Sequence, residues 1–294
     1  MPGRPLDDNL ENSFADIFKE INLSDKKKST FDVTVNNVFQ QAVMENRHLF
    51  VKICSELMLD GSGIRGVTHL TELADLAEKG ESCLICSKHC SNFDVPNLYT
   101  LMSRYGSYES SCFNRIIFIA GRKLNEDSPG TKMMAEMFNR LIISPKSYLD
   151  SLSPDDTEKH KQARRINIAS QRKLRELKYK GYILLLYPTG TRTRSEEPET
   201  SRALRETVAY MRMFDNVCFI NTFGNTLPPM LSRDLLTETP HCDVIKFVVS
   251  PVIKTGKWLN DAAAAFENCN DPHADRKQWI ADRVMNEIDS LRDV

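Results

Sequence analysis

A histidine and an aspartate five positions apart, in the stretch Lys88-His89-Cys90-Ser91-Asn92-Phe93-Asp94, are the side chains of this chain best suited to acid–base work. An imidazole takes and returns a proton near neutral pH, and a carboxylate on its second nitrogen fixes the tautomer and stabilises the imidazolium. On one continuous helix the two positions would differ by about 140° in azimuth. His89 and Asp94 must therefore bracket a turn to work together, and Ser91-Asn92 supplies one. A structural role is open to both: Asp94 as cap of a helix opening at Val95-Pro96, His89 as a loop side chain.

Cations follow other apolar runs. The run 115–120 leads into Gly121-Arg122-Lys123, the run 141–144 into Pro145-Lys146, and the run 182–187 into Pro188-Thr189-Gly190-Thr191-Arg192-Thr193-Arg194. If these runs are neighbouring parallel strands, His89, Asp94, Arg122, Lys146, Arg192 and Arg194 share one rim. Loops at strand carboxyl ends carry the polar groups of open α/β sheets. Such a rim suits an anionic substrate with a hydroxyl to activate.

The elements that must position these groups read as an α/β fold, with a mixed, largely parallel sheet flanked by helices and a small N-terminal helical region. Cys83 to Cys86 is apolar, too short for a helix and bounded by Gly80 and Ser91-Asn92, which predicts a buried strand. Later strands are expected at 217–223 and 245–252. Helices are expected after Asp94, over 130–140 with Met133, Met134, Met137 and Phe138 in the core, over the basic segment 157–180, and at the close over 275–292. Residues 1–79 read as helical: one helix capped by Ser13 with Phe14, Ile17, Phe18 and Ile21 on one face, a long one from Thr30 through Phe31 to Leu57, and a third over 69–79. Residues 80–294 form the α/β domain in this reading.

At 294 residues with a formal net charge of −1, the chain can bury a large core and owes any attraction for nucleic acid or lipid to a local patch. No apolar run approaches the roughly 20 residues that cross a bilayer, and the acidic start lacks the apolar core of a secretory signal. Cytoplasmic residence is the expectation. Cys83, Cys86, His89 and Cys90 have spacing that suits zinc, but alternate strand residues point to opposite faces, so buried reduced cysteines and no metal are expected. Neither a Gly-x-Gly-x-x-Gly fingerprint nor a Walker loop is present, and no nucleic-acid module is recognisable.

The block 88–94 resembles the histidine, four residues, aspartate motif of the glycerolipid acyltransferases. The block 187–194 resembles their downstream glycine-arginine phosphate-binding motif. Ile119-Ala120-Gly121-Arg122, Ile143-Ser144-Pro145-Lys146 and Leu227-Pro228-Pro229 fit the soluble, plastid-type glycerol-3-phosphate acyltransferases in order and approximate spacing, and an N-terminal helical part short for the plant enzymes makes a bacterial variant the expectation. The resemblance covers roughly residues 83–255. It implies transfer of a fatty acyl group from acyl-coenzyme A or acyl carrier protein to the sn-1 hydroxyl of glycerol 3-phosphate, with no cofactor beyond that cosubstrate. His89 would be the general base and Asp94 its orienter. Arg192, Arg194, Lys146 and Arg122 would hold the phosphate, with Gly190 and Thr191 shaping the loop. The lipid product implies peripheral membrane contact.

Two departures stand out. Lys146 is followed by Ser147 where the soluble enzymes carry histidine, and Thr189 stands where the membrane-bound lysophosphatidate acyltransferases usually have glutamate. Lysophosphatidate as acceptor is the alternative within the same superfamily. A noncatalytic module binding anionic lipid or carrier protein through the basic helix is the alternative outside it.

Overall fold

Apolar runs too short for helices become strands covered on both faces, and the helices between them lie on the two sides of the sheet they form. The computed structural model describes residues 3–24, 33–122, 129–194, 196–230, 235–268 and 275–293. Its strands are β1 (Arg4–Pro5), β2 (Phe39–Gln40), β3 (Gly63–Arg65), β4 (Cys83–Ser87), β5 (Ile116–Gly121), β6 (Arg140–Ile143), β7 (Ile183–Leu186), β8 (Asn216–Phe223), β9 (His241–Cys242), β10 (Lys246–Val249) and β11 (Ile253–Lys254).

Among the described residues, nine strands form one sheet in the order β2-β6-β5-β7-β4-β8-β10-β3, with β11 paired to β8. The five from β6 to β8 run parallel. At the flanks β2, β10 and β11 turn antiparallel to their neighbours, and β3 lies parallel to β10. β1 and β9 form a separate antiparallel pair. This is a mixed, largely parallel sheet flanked by helices, with a small N-terminal helical stretch.

β4 lies near the middle and is buried throughout, which is why its sequence is apolar without alternation. Cys83 and Ile85 pack into the core of one face, Leu84 and Cys86 into that of the other. Cys83 and Cys86 therefore diverge and cannot share a metal.

The chain leaves β4 through helix Asp94–Tyr105 on the first face and runs to β5 on one side. It leaves β7 through helix Thr207–Met211 on the second face and runs to β8 on the other side. Adjacent parallel strands whose connections part in this way open a crevice at their carboxyl ends. His89 and the 187–194 loop both emerge there.

Several elements depart from the sequence expectations. The first helix opens at Leu10, not after Ser13, because Asn9 accepts a hydrogen bond from the Asn12 N–H (2.9 Å). A second, Ala15–Ser24, follows and buries Phe18 and Ile21, with Phe14 buried at the junction of the two. The long helix through residue 57 is confined to Arg47–Leu57. Ahead of it Asn37 Oδ1 accepts from the Thr34 N–H (2.7 Å), a local turn that competes with helix, and Phe39–Gln40 joins the sheet beside β6. Thr30 and Phe31, like Lys123, lie outside the described residues.

The third helix spans Val67–Glu78, entered through Gly66 in the left-handed region, where a Cβ would sit 2.7 Å from the Val249 carbonyl oxygen. The methionine-bearing helix ends at Glu136, because Arg140 already belongs to β6. β3 and helix Thr255–Glu267 had no forecast in the sequence. The closing helix, Arg276–Ser290, is capped by Asp275, which accepts from Lys277 and Gln278 N–H groups. Among the described residues no helix is long and apolar enough to cross a membrane.

Candidate active site

The chain turns sharply after β4, and the turn is what brings His89 and Asp94 together. Helix Asp94–Tyr105 starts at Asp94 itself, with Phe93 in the N-cap position and making no side-chain cap. Asp94 is thus not the cap residue. Its carboxylate turns back instead: Oδ2 accepts from His89 Nδ1 (2.8 Å), the Cys90 N–H (2.8 Å) and the Ser91 N–H (3.0 Å). Asp94 is 3% exposed, so these donors replace water. A carboxylate only accepts, so Nδ1 is the donor, and in the neutral ring the lone pair lies on Nε2. Nε2 has no partner among the described residues, and the imidazole is about one-fifth exposed at 21%.

The Tyr187 ring, at the end of β7, stacks on the imidazole with centroids 3.8 Å apart and planes 11° from parallel. Burial, with Asp94 and Cys90 nearby, raises the Tyr187 hydroxyl well above its ordinary value. It stays a neutral phenol near neutral pH, and the stacked ring packs against one face of the imidazole. Burial, seconded by Asp94, also pushes the Cys90 thiol up to about 12, so this cysteine beside the histidine is no thiolate near neutral pH and no nucleophile.

The β7 loop is tied directly to His89. Thr193 donates both its N–H (2.9 Å) and its hydroxyl (3.1 Å) to the His89 carbonyl. Gly190 turns the loop with φ +66°, and a Cβ there would lie 2.5 Å from Leu204 Cδ1. Thr191 gives its carbonyl to the Thr189 hydroxyl. From this loop Arg192 reaches Glu238 (Nη1 to Oε1, 3.1 Å) and Arg194 reaches Glu197 (3.3 Å). Behind His89, the loop after β8 closes the arrangement: Asn225 Nδ2 donates to the Cys90 carbonyl (2.7 Å) and the Ser91 hydroxyl to the Leu227 carbonyl (2.9 Å).

Glu238 was not singled out in the sequence, where it stands alone among Thr237, Thr239 and Pro240. It is fully buried, and it accepts from Asn92 Nδ2 (2.6 Å), Arg192 Nη1 and the Met230 N–H (3.3 Å), so it joins the His89 loop to the β7 loop. Burial raises its carboxyl above the usual range, with Arg192 and Asn92 pulling the other way. Nothing in its sequence neighbours announced a buried pair. Tyr187 and Thr193 fell inside a recognised block, but nothing in their spacing announced the stacking or the loop tie.

Arg122 and Lys146 form a separate group on the same rim. Arg122 leaves the end of β5 and lies over the Tyr148 ring, its guanidinium carbon 5.1 Å from the centroid. Lys146 opens the short helix Lys146–Asp150 beyond β6 and is exposed. With strands about 4.8 Å apart, β5 stands next to β7 and β6 one place farther from β4. Thus the structure gathers His89, Asp94, Arg192 and the Gly190-Thr191 turn at one crevice, with Arg122 beside it and Lys146 at its far margin.

Chemically, this is a carboxylate-bonded imidazole with a free Nε2, a guanidinium whose unused donors suit an anion, and a glycine turn that admits close approach. Among the described residues no cluster of His, Cys, Asp and Glu could hold a metal. Compared with known proteins, the chain matches no family model, and no curated protein matches it significantly.

Proposed function

We propose that this chain is an O-acyltransferase that moves a fatty acyl group from a thioester, acyl-coenzyme A or acyl carrier protein, to the sn-1 hydroxyl of glycerol 3-phosphate. The observation that carries the reading is the His89–Asp94 pair with Nε2 open, set in the crevice where the Arg192 loop also begins. Nε2 takes the proton of the acceptor hydroxyl while Asp94 stabilises the imidazolium through Nδ1. The oxygen attacks the thioester carbonyl, the tetrahedral intermediate collapses, and the leaving thiolate recovers the proton from the imidazolium. Products are the ester and free thiol.

Arg192 and Arg194 hold the acceptor phosphate in this reading, with Arg122 and Lys146 supplying further positive charge along the rim. Charge-assisted bonds to a phosphate fix the hydroxyl relative to Nε2, and that orientation supplies much of the rate. Leu204 and Met230, 48% and 44% exposed, border the loop through Gly190 and Glu238. These apolar side chains favour a hydrophobic acyl group beside the phosphate site, as donor or as the chain of lysophosphatidate, the second acceptor to test.

The test is thiol release from long-chain acyl-coenzyme A and from an acyl carrier thioester, with glycerol 3-phosphate or lysophosphatidate as acceptor, for wild type and His89→Ala. Acceptor-dependent release that disappears in the variant supports the reading, and the better acceptor names the substrate. Folded wild type that releases no thiol with any pair overturns it.

A further inference from the structure

The long helix Thr157–Leu177 runs from the rim end of β6 back to the start of β7 and takes no part in the crevice. It buries Ala163, Ile166, Ser170, Leu174 and Leu177 against the sheet. Its opposite side carries Lys161, Arg165, Ile168, Arg172 and Arg175, all exposed. At 100° per residue these five fall within about 40° of one line, and they span about 21 Å of helix. Tyr179, 55% exposed just past the helix end, continues the line.

The acidic side chains along this helix are already engaged. Glu158 meets Lys161, Glu176 meets both Lys173 and Lys180, and Asp156 at the N-cap meets Lys159. Arg165, Arg172 and Arg175, with Arg164 at the margin, have no carboxylate partner among the described residues. The chain as a whole has a formal net charge of −1, so the cationic field is local to this side.

We propose that this stripe is a docking surface for an anionic phospholipid bilayer. The arginines complement phosphate headgroups in charge and in bidentate geometry. Ile168, 51% exposed, sits midway between Arg165 and Arg172, where a purely solvated face would carry a polar residue and an interfacial helix carries an apolar one. The stripe is straight and lies on a convex helix surface, which fits a plane better than the pocket-forming contacts of an acidic protein. The proposal is independent of acyl transfer, because it is read without substrate.

Co-sedimentation of the full chain with vesicles tests it. Phosphatidylcholine vesicles with one part in three phosphatidylglycerol should bind the wild type, phosphatidylcholine alone should not, and binding should fall as salt rises. Each basic residue at an anionic surface is worth about fivefold, so R165Q/R172Q/R175Q should weaken binding about a hundredfold with its circular dichroism unchanged. I168S, which keeps every charge, should weaken binding severalfold and leave the salt dependence alone. Folded wild type that ignores anionic vesicles, or binding that survives the triple substitution, overturns the proposal. So does capture of an acidic carrier protein by this stripe in place of vesicles, which would assign it to a protein partner.

Discussion

β4 and β8 lie side by side, and their two ends carry polar clusters of similar composition with opposite consequences. At the amino end Asp215 accepts from the Ser82 hydroxyl (2.6 Å) and N–H (3.3 Å), Ser82 Oγ accepts in return from the Asp215 N–H (3.0 Å), and Glu81 Oε2 takes Asn216 Nδ2 (2.9 Å) and Lys254 Nζ (2.7 Å). Both carboxylates there are spent on donors of the same cluster, and what is left over is the buried Asn216 Oδ1, an amide oxygen that neither titrates nor attacks. At the carboxyl end Asp94 is spent on holding His89, and Glu238 on holding Arg192, but His89 Nε2 and the rest of the Arg192 fork are left over. A closed cluster stabilises strands; one with oriented, unspent groups can also bind and react. Carboxylates next to strand ends are therefore informative only through what their partners leave free.

The sharpest way to break this contrast is to remove the open nitrogen. His89→Ala should lower the turnover of acceptor-dependent thiol release by at least about 10³-fold, while its circular dichroism stays that of the folded wild type. A variant that keeps its turnover would place the two ends of β4 on the same structural footing.

Next comes the pair that holds the open guanidinium. Glu238→Ala leaves Arg192 without its partner and should cost about 3 kcal/mol in urea unfolding, the low end for a broken buried pair because Arg192 is 15% exposed. Arg192→Ala should cost a similar amount and also raise the KM for a phosphate-bearing acceptor. The double variant should cost less than the sum, and strict additivity would mean that the two side chains act separately.

Glu238 also gives the carboxyl end a pH signature. Its carboxyl is raised in the folded protein by burial, so the stability it contributes is full below the unfolded value of about 4.3 and is lost as pH climbs through the folded value. Wild type should lose stability relative to Glu238→Gln over that interval; a constant gap between their urea midpoints would remove burial as the dominant influence.

The amino end should respond with the opposite sign and less strongly. The Ser82 hydroxyl holds the Asp215 carboxyl below the usual range, so its contribution is present above the unfolded value of about 3.9 and fades as pH falls through the folded value. Asp215→Ala should cost about 1 kcal/mol and leave turnover and KM unchanged. Lys254→Ala, which removes only an exposed partner of Glu81, should alter neither stability nor activity measurably. A catalytic loss from either would show that the two ends are coupled through the strands.

Much of the strand pattern was legible in the chain itself. The runs that became β4, β5, β6, β7 and β8 are apolar because both faces of a central parallel strand are covered, and each run is followed by the polar residues of a rim loop. The opposite facing of Cys83 and Cys86 followed from the two-residue period of a strand, and the turn between His89 and Asp94 from the geometry of a helix that could not join them. The short flanking strands were hidden, since Phe39–Gln40 and Gly63–Arg65 are too brief to carry a period and exist only because a sheet edge offers them hydrogen bonds.

Residue types and local spacing thus picked out the side chains suited to acid–base work and to holding an anion. Tertiary structure alone decided which of them meet. Strand order set Arg192 one strand from His89 and left Lys146 at the margin; loop closure brought Tyr187 onto the imidazole and Thr193 onto its carbonyl; and burial turned Glu238, distant in sequence, into the partner of Arg192. The physical reason is one of range. Propensity and periodicity act over a few neighbouring residues, whereas the orientation of a ring or a guanidinium depends on groups that reach it only after non-local strands have paired.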